Sequence, residues 1–214
     1  MPSNKSRVPR PRAAIEPQRR HGKERVATLL ETGAAVIAEK GYEGATMAEI
    51  AARAGSPIGS LYRFFPSKEI LAEALIQRYA SQIDTEFGKI GAQAKAASID
   101  EIADAILDFT VHRRSEMKVI MALLDARSEW STKRLEFRNA ALRHIVKTLK
   151  LLAPGLPTPT ARDIAVIIFH NMKTMKALKS HQYVASSPGA MEELRGMNRL
   201  YLAHRLAPFR RPTK

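Results

Sequence analysis

The sequence of 214 residues contains no cysteine. It can therefore form neither a disulfide framework nor a thiolate zinc site, and this composition suits the reducing cytoplasm. With 11 glycines and 12 prolines, it is neither collagen-like nor of low complexity. Its apolar runs fall far short of the roughly 18 residues that span a bilayer, and no apolar segment follows the basic amino terminus as in a signal peptide. We therefore expect a soluble, globular, cytoplasmic protein without membrane contact.

Positive charge is concentrated at the two ends of the sequence. The net charge is +14, of which residues 1–25 contribute +6 and the last ten residues +4. Such tails suit a polyanionic partner because they contact phosphates and release counterions, although basic tails also simply keep proteins soluble. Residues 1–20 hold four prolines and almost no apolar periodicity, which predicts a disordered basic arm. Its segment 9–12 either enters a minor groove or stays solvated, and residues 208–214 form a second basic tail.

Beyond residue 23, apolar residues recur with a period close to 3.6, and no stretch alternates with period two for long enough to form a strand. The sequence therefore predicts an all-α fold of about nine helices. The first helix ends at Gly41. The longer later helices are predicted at residues 68–87, 99–113, 115–127, 132–152, 161–181 and 191–205, with proline-rich breaks at 154–159 and 187–189.

Residues 46–65 have the spacing of a helix-turn-helix. Thr46 and Glu49 form a capping box for a short helix, and Gly55 closes it. Ser56 is predicted to cap the next helix, with Pro57 at its first helical position. Contacts between the two helices are expected from Ile50, Ala54, Leu61 and Phe64, with Ala51 and Ala52 allowing close approach.

The exposed face of the second helix is expected to carry Ile58, Gly59, Ser60, Tyr62 and Arg63. A helix of this size fits the major groove of B-DNA, where its amino-terminal residues meet base edges. Short capped helix pairs also occur in ordinary bundles, so the spacing by itself leaves both interpretations open.

Residues 25–75 resemble the DNA-binding domain of the TetR (tetracycline repressor) family of transcriptional regulators. The residues that match are Leu29-Leu30, Gly41-Tyr42, Thr46, Ile50-Ala51, Ala54-Gly55, Gly59-Ser60-Leu61-Tyr62, Phe65 and Ser67-Lys68-Glu69. The resemblance implies a homodimer. Its DNA-binding domain would occupy residues 21–67, and a helical domain at 68–207 would bind a small-molecule effector and dimerise.

The resemblance also implies roles for single residues. Thr46 would hold a phosphate through its hydroxyl, Tyr62 would donate its phenol to the DNA backbone, and Lys68 would place its ammonium against a phosphate. Gly59 would let the helix lie close to the duplex, with Ser60 near a base or phosphate. The alternative for Tyr62 is a half-buried packing aromatic.

The sequence departs from the family at the start of the recognition helix. Ser56 and Pro57 stand where the family has valine and then serine, so an apolar core residue is missing and the cap moves back by one position. Ile58 is unusual on a groove-facing surface, where contact with a thymine methyl group is its natural use.

Nothing in the sequence indicates catalysis, a metal or a cofactor. The histidines are scattered, and P-loop, nucleophile-elbow and dinucleotide-binding motifs are absent. An effector is expected among the helices after residue 99, in an apolar cavity with few polar anchors. Its candidate lining is Phe109, His112, Met117, Met121, Trp130, Phe137, His170 and Met172, for each of which ordinary core packing is the alternative.

Two functional hypotheses remain from the sequence. The first is a ligand-responsive transcriptional regulator, most simply a repressor, which binds a palindromic operator as a homodimer held by the helices at 161–181 and 191–205. The second is an architectural DNA-binding protein that acts through its basic tails and has no effector. Operator selectivity at physiological salt distinguishes them.

Overall fold

The computed structural model describes residues 14, 20–94, 96–112, 114–126, 130–179 and 189–210. The described residues form nine α-helices and a short 3₁₀ turn, and they contain no strand. The helices are α1 (Arg20–Gly44), α2 (Met47–Arg53), α3 (Ile58–Phe64), α4 (Lys68–Gln93), α5 (Ile99–His112), α6 (Arg114–Ala126), α7 (Ser131–Leu152), α8 (Thr158–Lys179) and α9 (Ala190–Leu206). The all-α prediction is confirmed. Of the predicted arm at residues 1–20, the structure describes only residue 14 and Arg20, which begins α1; the rest of the arm and the last four residues of the basic tail lie outside the described residues.

The chain is divided into two compact units, and the first ends at residue 77. The first contains α1, α2, α3 and the first turns of α4, and its core includes Leu29, Ile50, Leu61 and Leu71, each fully buried. At Gly33, an added Cβ would lie 3.1 Å from Leu71 Cδ2. The absent side chain therefore allows α1 to approach α4 closely. Because α4 contributes Leu71 to this core, the unit extends ten residues past the predicted boundary at residue 67.

The second unit is a bundle in which α8 packs against α5, α7 and α9. Isoleucines that recur with the helical period of 3.6 residues along α5 and α8 fill the centre of the bundle. Ile106 and Ile168 are fully buried. The loop between α7 and α8 turns at Pro154 and Gly155, as the proline-rich sequence predicts. No helix formed by the described residues is long and apolar enough to cross a membrane.

Several helix ends differ from the predicted positions. Helical geometry breaks at Gly41 as predicted, with φ 75° and ψ 171°, and one further turn follows. The left-handed φ is easily adopted only by glycine. Helix α4 continues to Gln93, six residues beyond its predicted end, and α8 begins at Thr158 rather than at 161. Proline at the second position of α8 leaves its helical geometry intact because the first N–H groups of a helix have no intrahelical acceptor.

Candidate DNA-binding surface and effector cleft

The amino terminus of α2 is capped by the residue that the sequence indicates. Thr46 is in the extended conformation, and its Oγ1 accepts a hydrogen bond from the Glu49 N–H at 3.2 Å. The predicted return bond from the Glu49 side chain is wrong. That carboxylate instead lies 2.7 Å from both Lys40 Nζ and Arg53 Nη2, since two cations offer it stronger partners than one backbone N–H does.

This carboxylate belongs to an ionic network that fastens α2 to α1. Arg53 Nη1 also donates to Glu39 at 2.5 Å. The hydrogen bond from Lys40 and the charges of Lys40 and Arg53 lower the pKa of Glu49, and the hydrogen bond and charge of Arg53 lower that of Glu39. The same carboxylates raise the pKa of Arg53. The network orients α2 on its neighbour by contacts at the protein surface.

The turn between α2 and α3 follows the prediction at Gly55 but not at Ser56. Gly55 has φ 59°, the left-handed conformation expected of a helix-closing glycine. The predicted Ser56 cap is wrong: its buried Oγ has no hydrogen-bond partner among the described residues, while its N–H donates to Ala51 O at 3.0 Å. Pro57, with ψ 136°, is the N-cap, and α3 begins one residue later than expected.

Helix α3 has one buried and one exposed face. Leu61 and Phe64 are buried against the unit's core, whereas Ile58 and Tyr62 are 43% and 48% exposed. Gly59 and Arg63 are also exposed, and Ser60 is half-buried. The predicted face is therefore confirmed as solvent-facing. Tyr62 is not the half-buried packing aromatic of the alternative interpretation.

The packing face of α2 is narrower than predicted. Ile50 and Ala51 are buried and Ala54 is half-buried, as the close approach of the two helices requires. Ala52 is exposed, so its assignment to the contact is wrong. It lies on the outer side of a helix of only seven residues.

Lys68 is held by the protein itself. Its Nζ donates to the carbonyl oxygens of Tyr42 at 2.9 Å and Glu43 at 3.3 Å, and it lies 4.4 Å from the centre of the Tyr42 ring. These carbonyls belong to the last turn of α1, where a cation is favourably placed. The ammonium therefore stabilises the end of α1, a role that sequence analysis missed.

Two of the candidate effector-binding residues share a cleft. Phe109 and His112 on α5, together with the facing part of α4, border a cleft of about 490 Å³. The other residues that line it are Glu86, Lys89, Ile90, Gln93, Ala105 and Asp108. Phe109 stacks on Phe87 with ring centres 4.3 Å apart, and His112 Nδ1 lies 3.0 Å from Asp108 O.

Among the candidates whose side chains the structure describes, the other five do not border this cleft. Trp130 and Met172 are buried in the core, which supports ordinary packing for both, and Met121 and Phe137 are half-buried. His170 is exposed, because it lies on the outer side of α8. The side chain of Met117 lies outside the described residues.

A cluster of aromatic and hydrogen-bonded side chains joins α4 to α7. His144 Nε2 lies 2.6 Å from Asp84 Oδ1, and its ring stacks on Phe87 at 5.3 Å. Within the described ranges, no three histidine, aspartate or glutamate side chains are grouped as metal ligands.

Sequence analysis also missed a polar seam between α5 and α9. Arg195 forms two hydrogen bonds of 2.7 Å with Asp108, and Arg199 pairs with Asp104 in the same way one turn further along. Between them, the fully buried Asn198 accepts a hydrogen bond from Asn171 at 3.2 Å. The sequence contained a signal for this seam: two aspartates four residues apart on α5 and two arginines four residues apart on α9.

Comparison with known proteins defines the amino-terminal domain. Residues 29–75 match the family model of bacterial regulatory proteins of the tetR family. Over 64 residues, the chain is 38% identical to the HTH-type transcriptional repressor KstR of Mycobacterium tuberculosis, and over 63 residues it is 38% identical to KstR of Rhodococcus jostii. These matches cover 30% and 29% of the chain. They span only 29% and 30% of the two relatives, and thus less than a third of their length.

Solved structures extend the similarity to most of the fold. A transcriptional regulator from Aquifex aeolicus has a TM-score of 0.64 at 22% identity, covering 84% of this chain and 98% of that one. A putative TetR-family regulator from Mesorhizobium loti gives 0.65 at 18% identity, covering 89% and 98%. FadR from Bacillus subtilis, solved with stearoyl-CoA, gives 0.59 at 18% identity, covering 85% and 97%.

The capped helix pair, the exposed face of α3 and the helical bundle that follows define an all-α helix-turn-helix protein. Residues 29–75 are similar to the bacterial regulatory proteins of the tetR family, and the described residues share the fold of solved transcriptional regulators.

Proposed function

We propose that this protein is a transcriptional repressor that binds a palindromic operator as a homodimer and is released by a small-molecule effector. The observation that supports it best is the exposed face of α3, where Ile58 and Tyr62 are large apolar-bodied side chains left in solvent. Exposed side chains of this kind on a helix of a helix-turn-helix favour a macromolecular partner. The relatives that match this domain are named as repressors.

Side chains on α3 and at the start of α2 suit different parts of DNA. Ile58 and Ser60 lie at the amino-terminal end of the helix, which meets base edges in a major groove, so they are assigned to base selection. Tyr62 and Thr46 are assigned to phosphates through their hydroxyls. In the part of the chain that the structure describes, no side chain comes within 4 Å of a Cβ built at Gly59, which fits a position kept small for the duplex rather than for the fold.

The dimer interface is assigned to the outer faces of α8 and α9. Ile167 is 48% exposed, Met197 53% and Leu200 74%. Burial of such side chains against a second copy contributes about 25 cal/mol per Å² of apolar surface. A two-fold axis would place the exposed apolar face of each copy against the same face of the other copy.

The effector is assigned to the cleft between α4 and α5. Helix α4 begins in the first unit and continues into the second, where its residues form one wall of that cleft. A ligand wedged beside Phe109 and His112 would shift α4. The two α3 helices of a dimer would then no longer lie the roughly 34–36 Å apart that successive major grooves require.

The test is selection of bound duplexes from a random pool by the full-length protein at physiological salt. We expect enrichment of one palindromic sequence and loss of binding on addition of the effector. Changing Ile58 or Ser60 should alter the selected sequence. Equal affinity for selected and random DNA would favour the architectural protein, which binds through its basic tails without an effector.

A further inference from the structure

Helices α7 and α8 form a second concave surface away from the α4–α5 cleft. This basic groove has a volume of about 770 Å³ and is lined by Asn139, Leu142, Arg143, Val146, Lys147, Lys150, Leu151, Thr158, Arg162 and Val166. On α7 the lining residues recur every three or four positions, which is one face of a helix. The groove follows α7 for twelve residues, roughly 18 Å at 1.5 Å per residue.

The groove combines an apolar floor with a rim of one charge. Leu142, Val146, Leu151 and Val166 supply the floor, and the last two are 36% and 41% exposed. The rim has four cations and no carboxylate among its lining residues. An exposed apolar strip bordered by unbalanced cations is complementary to a molecule with an apolar body and an anionic head.

None of the four rim cations pairs with a carboxylate in the part of the chain that the structure describes. Lys150 donates to Thr158 Oγ1 at 3.0 Å, which holds its ammonium across the mouth between the two helices. Arg143, Lys147 and Arg162 pair with no carboxylate in the described ranges. The seam arginines of α9, in contrast, are each matched by an aspartate. Positive charge at the groove is therefore available to a ligand.

We propose that the α7–α8 groove is a binding site for a free amphipathic anion, a single apolar chain bearing a phosphate or carboxylate head. The chain lies along Val146, Leu142 and Val166. The head contacts the rim, where Arg143 offers a planar pair of donors suited to either anion. This site is separate from the effector cleft, and it does not depend on DNA binding.

The chemistry of the floor sets the expected dependence on chain length. Full burial of one methylene contributes about 0.8 kcal/mol, a factor of about four in affinity. Because the groove is open on one side, we expect about half of this free energy, a factor of about two for each methylene added between octyl and dodecyl chains. The two-carbon steps of an alkyl phosphate series therefore each raise affinity about fourfold.

The experiment is calorimetric titration of the full-length protein with alkyl phosphates below their micelle concentration. Arg143→Gln with Lys147→Gln removes two rim charges, and the matched control is Arg138→Gln, an exposed arginine on α7 that does not line the groove. At about 1.4- to 5-fold per exposed ion pair, the double variant should bind dodecyl phosphate about 2- to 25-fold more weakly. The control should match the wild type.

The floor is tested separately with Val166→Asp, a change at a partly exposed position that the fold should tolerate. Circular dichroism and thermal unfolding establish that each variant is folded. We expect this variant to lose the dependence on chain length, because a carboxylate replaces the apolar contact and repels the anion.

Four results would overturn the proposal. Dodecyl trimethylammonium binding as tightly as dodecyl phosphate would show that charge plays no part, and inorganic phosphate doing so would show that the chain plays none. Binding only to anionic phosphatidylglycerol vesicles would identify a membrane contact. Sedimentation in which the wild type is a dimer and Val166→Asp a monomer would make the groove an interface between copies.

Discussion

Replacing Lys68 separates a structural role from a DNA-binding role at one position. Its ammonium donates to two carbonyl oxygens at the end of α1, at 2.9 and 3.3 Å, and its side chain is only 21% exposed. A hydrogen bond to a charged group contributes about 1.5–3 kcal/mol. Because one ammonium serves both oxygens in a partly hydrated site, we expect Lys68→Met to lower the free energy of unfolding by roughly 1–2 kcal/mol.

The matched variant is Tyr62→Phe, which removes one exposed hydroxyl and leaves the ring. Its free energy of unfolding should stay within about 0.5 kcal/mol of the wild type. Its affinity for the selected operator should fall about 5- to 13-fold, from roughly 1–1.5 kcal/mol for one hydrogen bond to a phosphate. The loss should be equal on all sequences, since phosphate contacts carry no base information.

Urea unfolding and operator titration of both variants measure the two effects. For Lys68→Met, we expect a melting temperature about 2–8 °C lower. Methionine keeps most of the apolar stem, so loss of packing does not account for the change. If Lys68→Met left stability unchanged and reduced the salt dependence of operator binding by about one phosphate contact, the ammonium would face DNA and our capping argument would be refuted.

Three further predictions follow from the described contacts. Gly55→Ala should destabilise the protein by about 1–2 kcal/mol because residue 55 has a left-handed φ of 59°. Gly59→Ala, in helix α3, should stabilise the protein by about 0.5–1 kcal/mol yet weaken operator binding. Thermal melts and DNA titration test this pair of variants, and equal melting temperatures would contradict the prediction. The cationic partners of Glu39 and Glu49 hold the pKa values of these carboxylates below the unfolded values. The two carboxylates therefore stabilise the fold above about pH 4.3, and this contribution should disappear as the pH falls through their folded pKa values. An NMR titration in which Arg53→Gln failed to raise the pKa of Glu39 would disprove the assignment. Leu200→Asp should dissociate the dimer in sedimentation, while Leu135→Asp, another exposed leucine, should not; a dimeric Leu200→Asp would place the interface elsewhere.

Local features of the helix-turn-helix were predictable from sequence because each depends on neighbouring residues. The hydroxyl of Thr46 meets an N–H three residues away, and the left-handed turn at Gly55 needs only the absence of a Cβ. The two faces of α3 follow from a period of 3.6. These features required no knowledge of what α2 and α3 pack against.

The contacts that sequence analysis missed at the same site involve partners distant in sequence. Glu49 was expected to return to Thr46, but Lys40 on the preceding helix lies closer to its carboxylate. Lys68 was assigned to DNA alone, although its acceptors lie 25 and 26 residues earlier in the chain. For Glu49, a local rule was overridden by a cation that the fold brings near. For Lys68, the contacts with α1 add a structural role, and its contact with DNA stays a prediction.

The seam between α5 and α9 shows why the second unit was less predictable. Asp108 and Arg195 are 87 residues apart, and each alone is an ordinary charge on an amphipathic helix. A second pair, Asp104 and Arg199, lies one turn along both helices. Only one register of α9 along α5 therefore allows both pairs to form. A shift by one residue would separate these four partly exposed charges from their partners. Apolar packing alone tolerates alternative registers. The paired charges therefore fix the position of α9 on α5, and with it the direction in which Leu200 faces.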